Sequence, residues 1–408
     1  MFDQETVWEF NMTDRVKFGS GASRELSAEA KQIGAETVLF VTDEGVVGAG
    51  IVDYLADRFG SKQVIVYDDV EPDPNIGLFE DALEFAAQVD PDLIIGVGGG
   101  SCIDVAKTTS VVIEHEGELI DYVAPPTGGG EPIRRSGVPM VAIPTTAGTG
   151  SETSPVSVIS LPSKNLKVGI SSQFQYPDLA VIDPELTVTL PSGPTAASGM
   201  DALCHAIEAY TTRGFGSKAR PEDPAMRPDY GGRTTVTDAF ALKAIELVSG
   251  NLRQAVNVGE DLDARRNMSL ASFLAGVAFT NAGLGATHAL ALSAAGEYGT
   301  GHGVTIATLL PEVMRFNAGA AADRYADVYE RLASTEESLP ADPAEGAIRE
   351  VTALADDIGI PEGLSDLGVE SEYLTSLAEG TMQLERLLVG NPRRLSVEDA
   401  KAILTDAY

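Results

Sequence analysis

Hydrophobic and polar positions change rhythm once along the chain. From about residue 14 to residue 185, short apolar runs alternate with stretches of helical spacing. The runs Thr37–Val41, Gln63–Tyr67, Leu93–Val97, Val138–Ile143 and Leu179–Ile182 read as buried strands, and residues 46–58 and 76–88 read as amphipathic helices between them. Strands alternating with helices predict a parallel sheet with helices on both faces. After Pro184 the β-branched runs thin out, and Ala- and Leu-rich segments with apolar spacings of three and four continue to the end. The second half is therefore expected to be all-helical. The boundary falls between Asp183 and Pro194, where Pro184, Pro191 and Pro194 interrupt the periodicity, giving domains over residues 1–187 and 188–408. Residues 213–233, rich in Gly and Pro, read as an exposed insertion in the helical half.

Composition supports two domains and narrows the setting. A chain of 408 residues exceeds a single core, which stops growing at roughly 250–300 residues, and 44% hydrophobic content suffices to build two. The formal charge of −33 repels nucleic-acid phosphates and anionic lipid, so neither is an expected partner. Such a surface suits a salt-rich interior, where counterions screen self-repulsion, and a halophilic cytoplasm is the expectation; an ordinary acidic enzyme is the plainer reading. Cys102 and Cys204 form neither a C-x-x-C pair nor a disulfide framework. The first residues lack a basic and then apolar leader, and no stretch of about 18 apolar residues occurs, so a reducing cytoplasm fits best.

Two segments after apolar runs suit an anionic ligand. Gly98-Gly99-Gly100-Ser101 follows the Leu93–Val97 run and precedes a helix-compatible stretch. Backbone without side chains approaches a phosphate closely there, and free N–H groups with the helix dipole attract it. Gly96 to Ser101 is a G-x-G-x-x-S variant of the dinucleotide fingerprint, and a plain strand-to-helix turn reads equally well. The run from Pro144 to Ser154, with Thr145, Thr146, Thr149 and Ser151, offers small donors beside glycines; a solvent-facing Ser/Thr loop is its alternative. Asp43 follows the Thr37–Val41 run and suits an adenosine ribose, where a carboxylate favours NAD over NADP; capping a helix before Val46 is the other reading.

The chain holds four histidines, and His205, His288 and His302 lie in apolar, glycine-rich stretches of the helical half, where an unpaired imidazole is costly to bury. Asp201 and His205 stand at i and i+4 on one helical face, a spacing that grips one ion or makes a simple hydrogen-bonded pair. His288 follows Gly283-Leu284-Gly285, and His302 lies between Gly301 and Gly303, leaving room for a close partner. One carboxylate with three neutral imidazoles suits Fe²⁺ or Zn²⁺. The fourth histidine, His115, is expected to be exposed between Glu114 and Glu116.

Taken together these segments resemble the iron-containing (group III) alcohol dehydrogenase family. The resemblance rests on Phe18-Gly19-Ser20-Gly21, Gly98–Ser101 with Asp104 and Lys107, the Pro144–Glu152 segment, Asp183-Pro184-Glu185-Leu186, Gly199–His205 with Glu208, and Gly301-His302-Gly303. It implies an α/β dinucleotide-binding domain followed by an all-helical metal-binding domain, with the active site in the cleft between, and a homodimer. Carried onto matching positions, Asp201, His205, His288 and His302 are the metal ligands and catalytic centre. Gly98, Gly99, Gly100 and Ser101 hold the pyrophosphate, Asp43 the ribose, and Thr145, Thr146, Thr149 and Ser151 line the cofactor. Lys167 resembles the lysine near the nicotinamide ribose, and Leu186 the residue packed against the cofactor.

Three departures stand out. Relatives usually carry a second His four residues after the one matching His288, where this chain has Leu292; an Asn before Pro is replaced by Asp73; and the 213–233 insertion is added. The implied reaction is hydride exchange between a nicotinamide cofactor and a small alcohol, aldehyde or ketone held at the metal. Alternatives are a polyol or phosphonate-aldehyde reductase, a dehydroquinate-synthase-like lyase, and a non-catalytic NAD-binding protein. The few basic residues between 240 and 310, Lys243, Arg253, Arg265 and Arg266, favour a neutral substrate over a phosphorylated one.

Overall fold

The computed structural model describes residues 7–125, 127–162, 166–217, 230–333 and 340–408. The chain separates into two compact units, one over residues 12–190 and the other joining residues 191–408 to the N-terminal segment. That segment was expected in the α/β half. Its place follows from its contacts: Asn281 donates to the Asn11 carbonyl at 2.8 Å and accepts from the Asn11 N–H at 2.7 Å, and Phe10 stacks on Phe240 at 6.0 Å.

The α/β unit is built on β1 (Val16–Phe18), β2 (Thr37–Val41), β3 (Gln63–Tyr67), β4 (Leu93–Gly98), β5 (Met140–Pro144) and β8 (Leu179–Ile182), in the order β1-β8-β5-β4-β2-β3, with every pairing parallel. Side chains along each strand alternate between two cores. Val38, Phe40, Leu93, Ile95 and Val97 join Leu26 and Leu55 on one face, while Leu39, Val41 and Ile94 join Phe79 and Ile103 on the other. Both faces are therefore covered, as continuous apolar strands require. Two helices fix the second core, α1 (Ile76–Val89), capped by the Asn75 side chain, and α2 (Gly100–Val112).

Local chemistry shifts several expected elements. The helix expected over 46–58 is two short ones, Glu44–Gly48 and Ile51–Ala56, broken where Gly50 takes φ 74°. An antiparallel hairpin, β6 (Val156–Leu161) and β7 (Leu166–Ser171), forms a separate two-stranded sheet that the apolar-run reading missed. His115 is half-buried: its ring bonds the Val111 carbonyl at 2.7 Å and accepts from the Arg134 N–H at 3.1 Å, tying down the end of α2.

The second unit is helical among its described residues. Its long elements are α3 (Ser192–Thr211), α4 (Thr235–Asn257), α5 (Leu262–Ala282), α6 (Ala286–Tyr298) and α7 (His302–Asn317). Helix α3 is almost wholly buried and packs against α4, α5 and α7. Of the expected insertion at 213–233, residues 218–229 lie outside the described residues; its flanks join by a bridge between Gly214 and Arg233. Among the described residues no single helix is long and apolar enough to cross a membrane.

Candidate functional site

Sheet topology places the first group of residues. The chain leaves β2 toward β3 on one side and β4 toward β5 on the other, so the C-terminal ends of β2 and β4 flank the point where strand order reverses. Ligands of open parallel sheets bind at such points. Asp43 follows β2, Gly98 to Ser101 close β4 and open α2, and Thr145, Thr146 and Thr149 follow β5, with the Thr145 N–H bonded to the Gly98 carbonyl at 2.9 Å. Gly98 has φ 146°, and a Cβ there would lie 2.5 Å from the Cys102 sulfur, so glycine is required. Gly99 caps α2 without a side chain, leaving the first N–H groups of that helix to be met by another acceptor. Beside it, Thr146 Oγ1 is buried with no hydrogen-bond partner among the described residues and lies 3.9 Å from where a Gly99 Cβ would stand.

Other residues named from sequence have structural partners here. Asp43 does cap the short helix, accepting from the Val46 N–H at 2.9 Å, and its second oxygen accepts from the Cys102 thiol at 3.2 Å. Burial and the Asp43 carboxylate push that thiol well above its ordinary range, so it remains a donor. The Ser151 hydroxyl donates to the buried Asp104. Lys167 on β7 pairs with Asp73, the residue standing where an Asn is usual. Leu186, 6% exposed, belongs to the core containing Val46, Val97 and Ile143.

In the helical unit, three elements aim at one oxygen. Asp201 and His205 lie one turn apart on α3, His288 in the first turn of α6, and His302 at the start of α7. The Nε2 atoms of His205, His288 and His302 stand 3.7, 3.5 and 3.8 Å from Asp201 Oδ1. His205 and His288 stack at 4.6 Å, and Phe279 covers the other side of His205 at 4.4 Å. Glycine makes the convergence possible, since a Cβ on Gly303 would meet the Ala197 carbonyl of α3 at 2.7 Å. Burial raises the Asp201 carboxyl, but His205, His288 and His302 outweigh it and hold it at about 2, so the group is a carboxylate.

These separations test whether a cation fits. They are too long for hydrogen bonds. Bonds of about 2.0–2.1 Å to a tetrahedral ion set its donor atoms roughly 3.3–3.5 Å apart, close to the imidazole separations from Asp201; Asp201, His288 and His302 offer ligand atoms that all lie within 4.8 Å of one another, and His205 approaches the group through Asp201. Asp201 Oδ1 and His288 Nε2 are both buried and without hydrogen-bond partners among the described residues, an expense that a shared ion removes. The donor set is the one that suits Fe²⁺ or Zn²⁺.

A second group, Cys204, Glu208 and His288, also has ligand-type atoms close together. Its chemistry argues otherwise. Burial and Glu208 push the Cys204 thiol up to about 12, so it is no thiolate. Glu208 is saturated, accepting from the Gly285 N–H at 2.9 Å, the Thr287 N–H at 2.7 Å and His288 Nδ1 at 2.7 Å. With its proton on Nδ1, His288 presents the Nε2 lone pair toward Asp201. The sequence reading quoted Glu208 only as part of a motif; the i, i+4, i+7 spacing of Asp201, His205 and Glu208 was the signal available.

Known proteins resemble this chain over nearly its whole length. Residues 13–184 match the family model of iron-containing alcohol dehydrogenase, and residues 232–408 match its Fe-containing alcohol dehydrogenase C-terminal model. The chain is 37% identical over 393 residues to long-chain-alcohol dehydrogenase 1 of Geobacillus thermodenitrificans (strain NG80-2), covering 96% of this chain and 94% of that protein. It is 35% identical over 392 residues to the NAD-dependent methanol dehydrogenase of Bacillus methanolicus, covering 95% and 97%. The crystal structure of a 1,3-propanediol oxidoreductase superposes with a TM-score of 0.88 at 36% identity, covering 98% of this chain and all of that one. With both halves matched by its models and a relative 37% identical over 96% of the chain, the chain belongs to the iron-containing alcohol dehydrogenase family.

Proposed function

We propose that this protein is an NAD-linked dehydrogenase of small neutral alcohols, with Asp201, His205, His288 and His302 holding one divalent cation. The observation that carries this reading is the set of three imidazole nitrogens around the unpartnered, ionised Asp201 Oδ1. When bound, the cation supplies Lewis-acid activation of an alcohol or carbonyl oxygen, and NAD carries the hydride.

The chain's own residues supply positioning. Gly98, Gly99, Gly100 and Ser101 offer backbone N–H groups to the pyrophosphate, and Thr145, Thr146 and Thr149 line the same strand ends. Asp43 disfavours a 2′-phosphate by charge. Ser151, Lys167 and Leu186 support this reading less directly, since their contacts here are to Asp104, Asp73 and the apolar core. Glu208 holds the proton of His288 at Nδ1. Leu292 on α6 carries no ionisable group, so that position relays no proton from the alcohol.

The net charge supports two further parts of the proposal, a salt-rich cytoplasm and no nucleic-acid or membrane partner, and a homodimer is proposed from the family resemblance alone. Replacing His205 with Ala should remove the metal and reduce NAD-dependent alcohol oxidation to background while NAD binding persists. Turnover by metal-free protein would overturn the assignment. Full folding and activity without added KCl would overturn the salt reading alone.

A further inference from the structure

The metal site as described ends at Glu208, but the polar contacts continue into the C-terminal segment. Asn391, 1% exposed, presents Oδ1 to the Ala286 N–H at 3.1 Å, so that with Glu208 on the Gly285 and Thr287 N–H groups three successive donors at the start of α6 are taken by side chains distant in sequence. Asn391 is itself fixed. It exchanges hydrogen bonds with the buried Asn317 of α7, at 2.9 and 3.1 Å, and donates to the Arg393 carbonyl at 2.6 Å. The backbone around it is held to the end of α3 by the Thr212 hydroxyl, 2.7 Å from the Gly390 carbonyl, and the Arg213 N–H, 2.8 Å from the same oxygen.

Gly285 shows how tightly this is built. Its φ of −146° is open to any residue, so conformation does not demand glycine. Space does: a Cβ there would lie 2.9 Å from Asn391 Oδ1 and 3.0 Å from Glu208 Oε1. The two oxygens close on the turn from opposite chain segments, and His288 begins directly after it.

We infer that Glu208, Asn391 and Gly285 form a positioning clamp that sets the aim of His288 and the nitrogen it presents, making the segment 390–393 part of the metal site. The clamp restricts where Nε2 points before any ion arrives, and Glu208 keeps the proton on Nδ1. None of the three residues ligates the ion. The inference rests on the metal reading proposed above, and its test separates the two.

The experiment measures affinity for Zn²⁺ and Co²⁺ by competition with a chromophoric chelator, together with the Co²⁺ ligand-field spectrum and the melting temperature of metal-free protein. It compares the full-length chain with Glu208→Gln, Asn391→Ala and Asn391→Asp. Loss of such supporting contacts typically costs roughly 10- to 100-fold in metal affinity. Glu208→Gln, which sets an amide NH₂ against one of three donors, should fall in that range with an altered Co²⁺ spectrum. Asn391→Ala should weaken binding about tenfold, and Asn391→Asp, which keeps an acceptor for the Ala286 N–H, should recover part of it. Should Glu208→Gln fail to fold, the Asn391 pair decides. Unchanged affinity and spectrum in folded variants, with only the metal-free melting temperature lowered, would overturn the clamp while leaving the metal reading intact. No binding by the unaltered protein would overturn both.

Discussion

Each unit of the molecule buries a cluster of charges, and the two clusters are finished differently. In the α/β unit, Lys107 is fully enclosed, and its ammonium donates to the carbonyls of Ser151, Ser154 and Val156 at 3.1, 3.2 and 2.6 Å while lying 3.0 Å from Asp104. Asp104 in turn accepts from Ser151 and from the Val158 N–H at 2.9 Å. Both charges of the Lys107–Asp104 pair are answered by the chain. In the helical unit, Asp201 Oδ1 and His288 Nε2 face one another at 3.5 Å, and neither has a hydrogen-bond partner among the described residues. A saturated buried network is scaffold, and an open one is a site. The first pins the loop after β5 to α2; the second waits for a ligand.

Breaking the open cluster should have the largest effect on function and little on fold. Asp201→Asn removes the charge that gathers the imidazoles, and NAD-dependent turnover should fall to background while metal content, read by elemental analysis, drops with it. Far-ultraviolet circular dichroism should be unchanged.

The saturated cluster should show the reverse. Lys107→Ala strands three buried carbonyls and a buried carboxylate, and breaking such a pair costs about 3–5 kcal/mol of stability. Denaturant unfolding should register that loss, whereas the metal affinity of the protein that remains folded should not change. A Lys107→Ala protein as stable as the parent would remove the distinction between scaffold and site.

Gly98→Ala tests the backbone-built coenzyme site at an intermediate level. A side chain at φ 146° against Cys102 adds strain of about 1–3 kcal/mol, and NAD affinity should fall roughly tenfold, near 1.4 kcal/mol. Titration with NAD checks it, with metal affinity as the control.

A pH-dependent effect concerns Glu152, beside the scaffold cluster. Burial pushes its carboxyl up to about 7, against partial relief from its own backbone N–H and from Lys107. A raised carboxyl keeps its proton in the folded state longer than in the unfolded one, so its contribution is complete at low pH and is lost as pH rises from the ordinary carboxyl range through about 7. Relative to the parent, Glu152→Gln should therefore gain stability between pH 5 and pH 8, as melting temperatures at the two values would show. A gap that narrows with rising pH would contradict this.

What was legible in the sequence follows the same division. Strands covered by helices on both faces write themselves as largely apolar runs, so Thr37–Val41, Gln63–Tyr67 and Leu179–Ile182 match observed strands residue for residue. The Val138–Ile143 run was displaced, with the strand beginning at Met140 after Pro139. The β6–β7 hairpin was missed because it alternates apolar residues with Ser and Gly, a period-2 signal that a search for unbroken runs passes over. Asp201, His205, His288 and His302 were legible because imidazoles are rare here and stand in apolar surroundings. Asn391 was not: an asparagine between Gly390 and Pro392 reads as a turn, and its partner Ala286 lies 105 residues away. Asp43 was read both as a helix cap and as a ribose acceptor, and the cap is the contact the folded chain makes for itself.

The most direct test of the account is a metal-soaked crystal examined by anomalous scattering. One ion should lie about 2.0–2.3 Å from Asp201 and from Nε2 of each of His205, His288 and His302. An ion seated instead against Cys204 and Glu208, or a crystal with no ordered metal among these side chains, would contradict it.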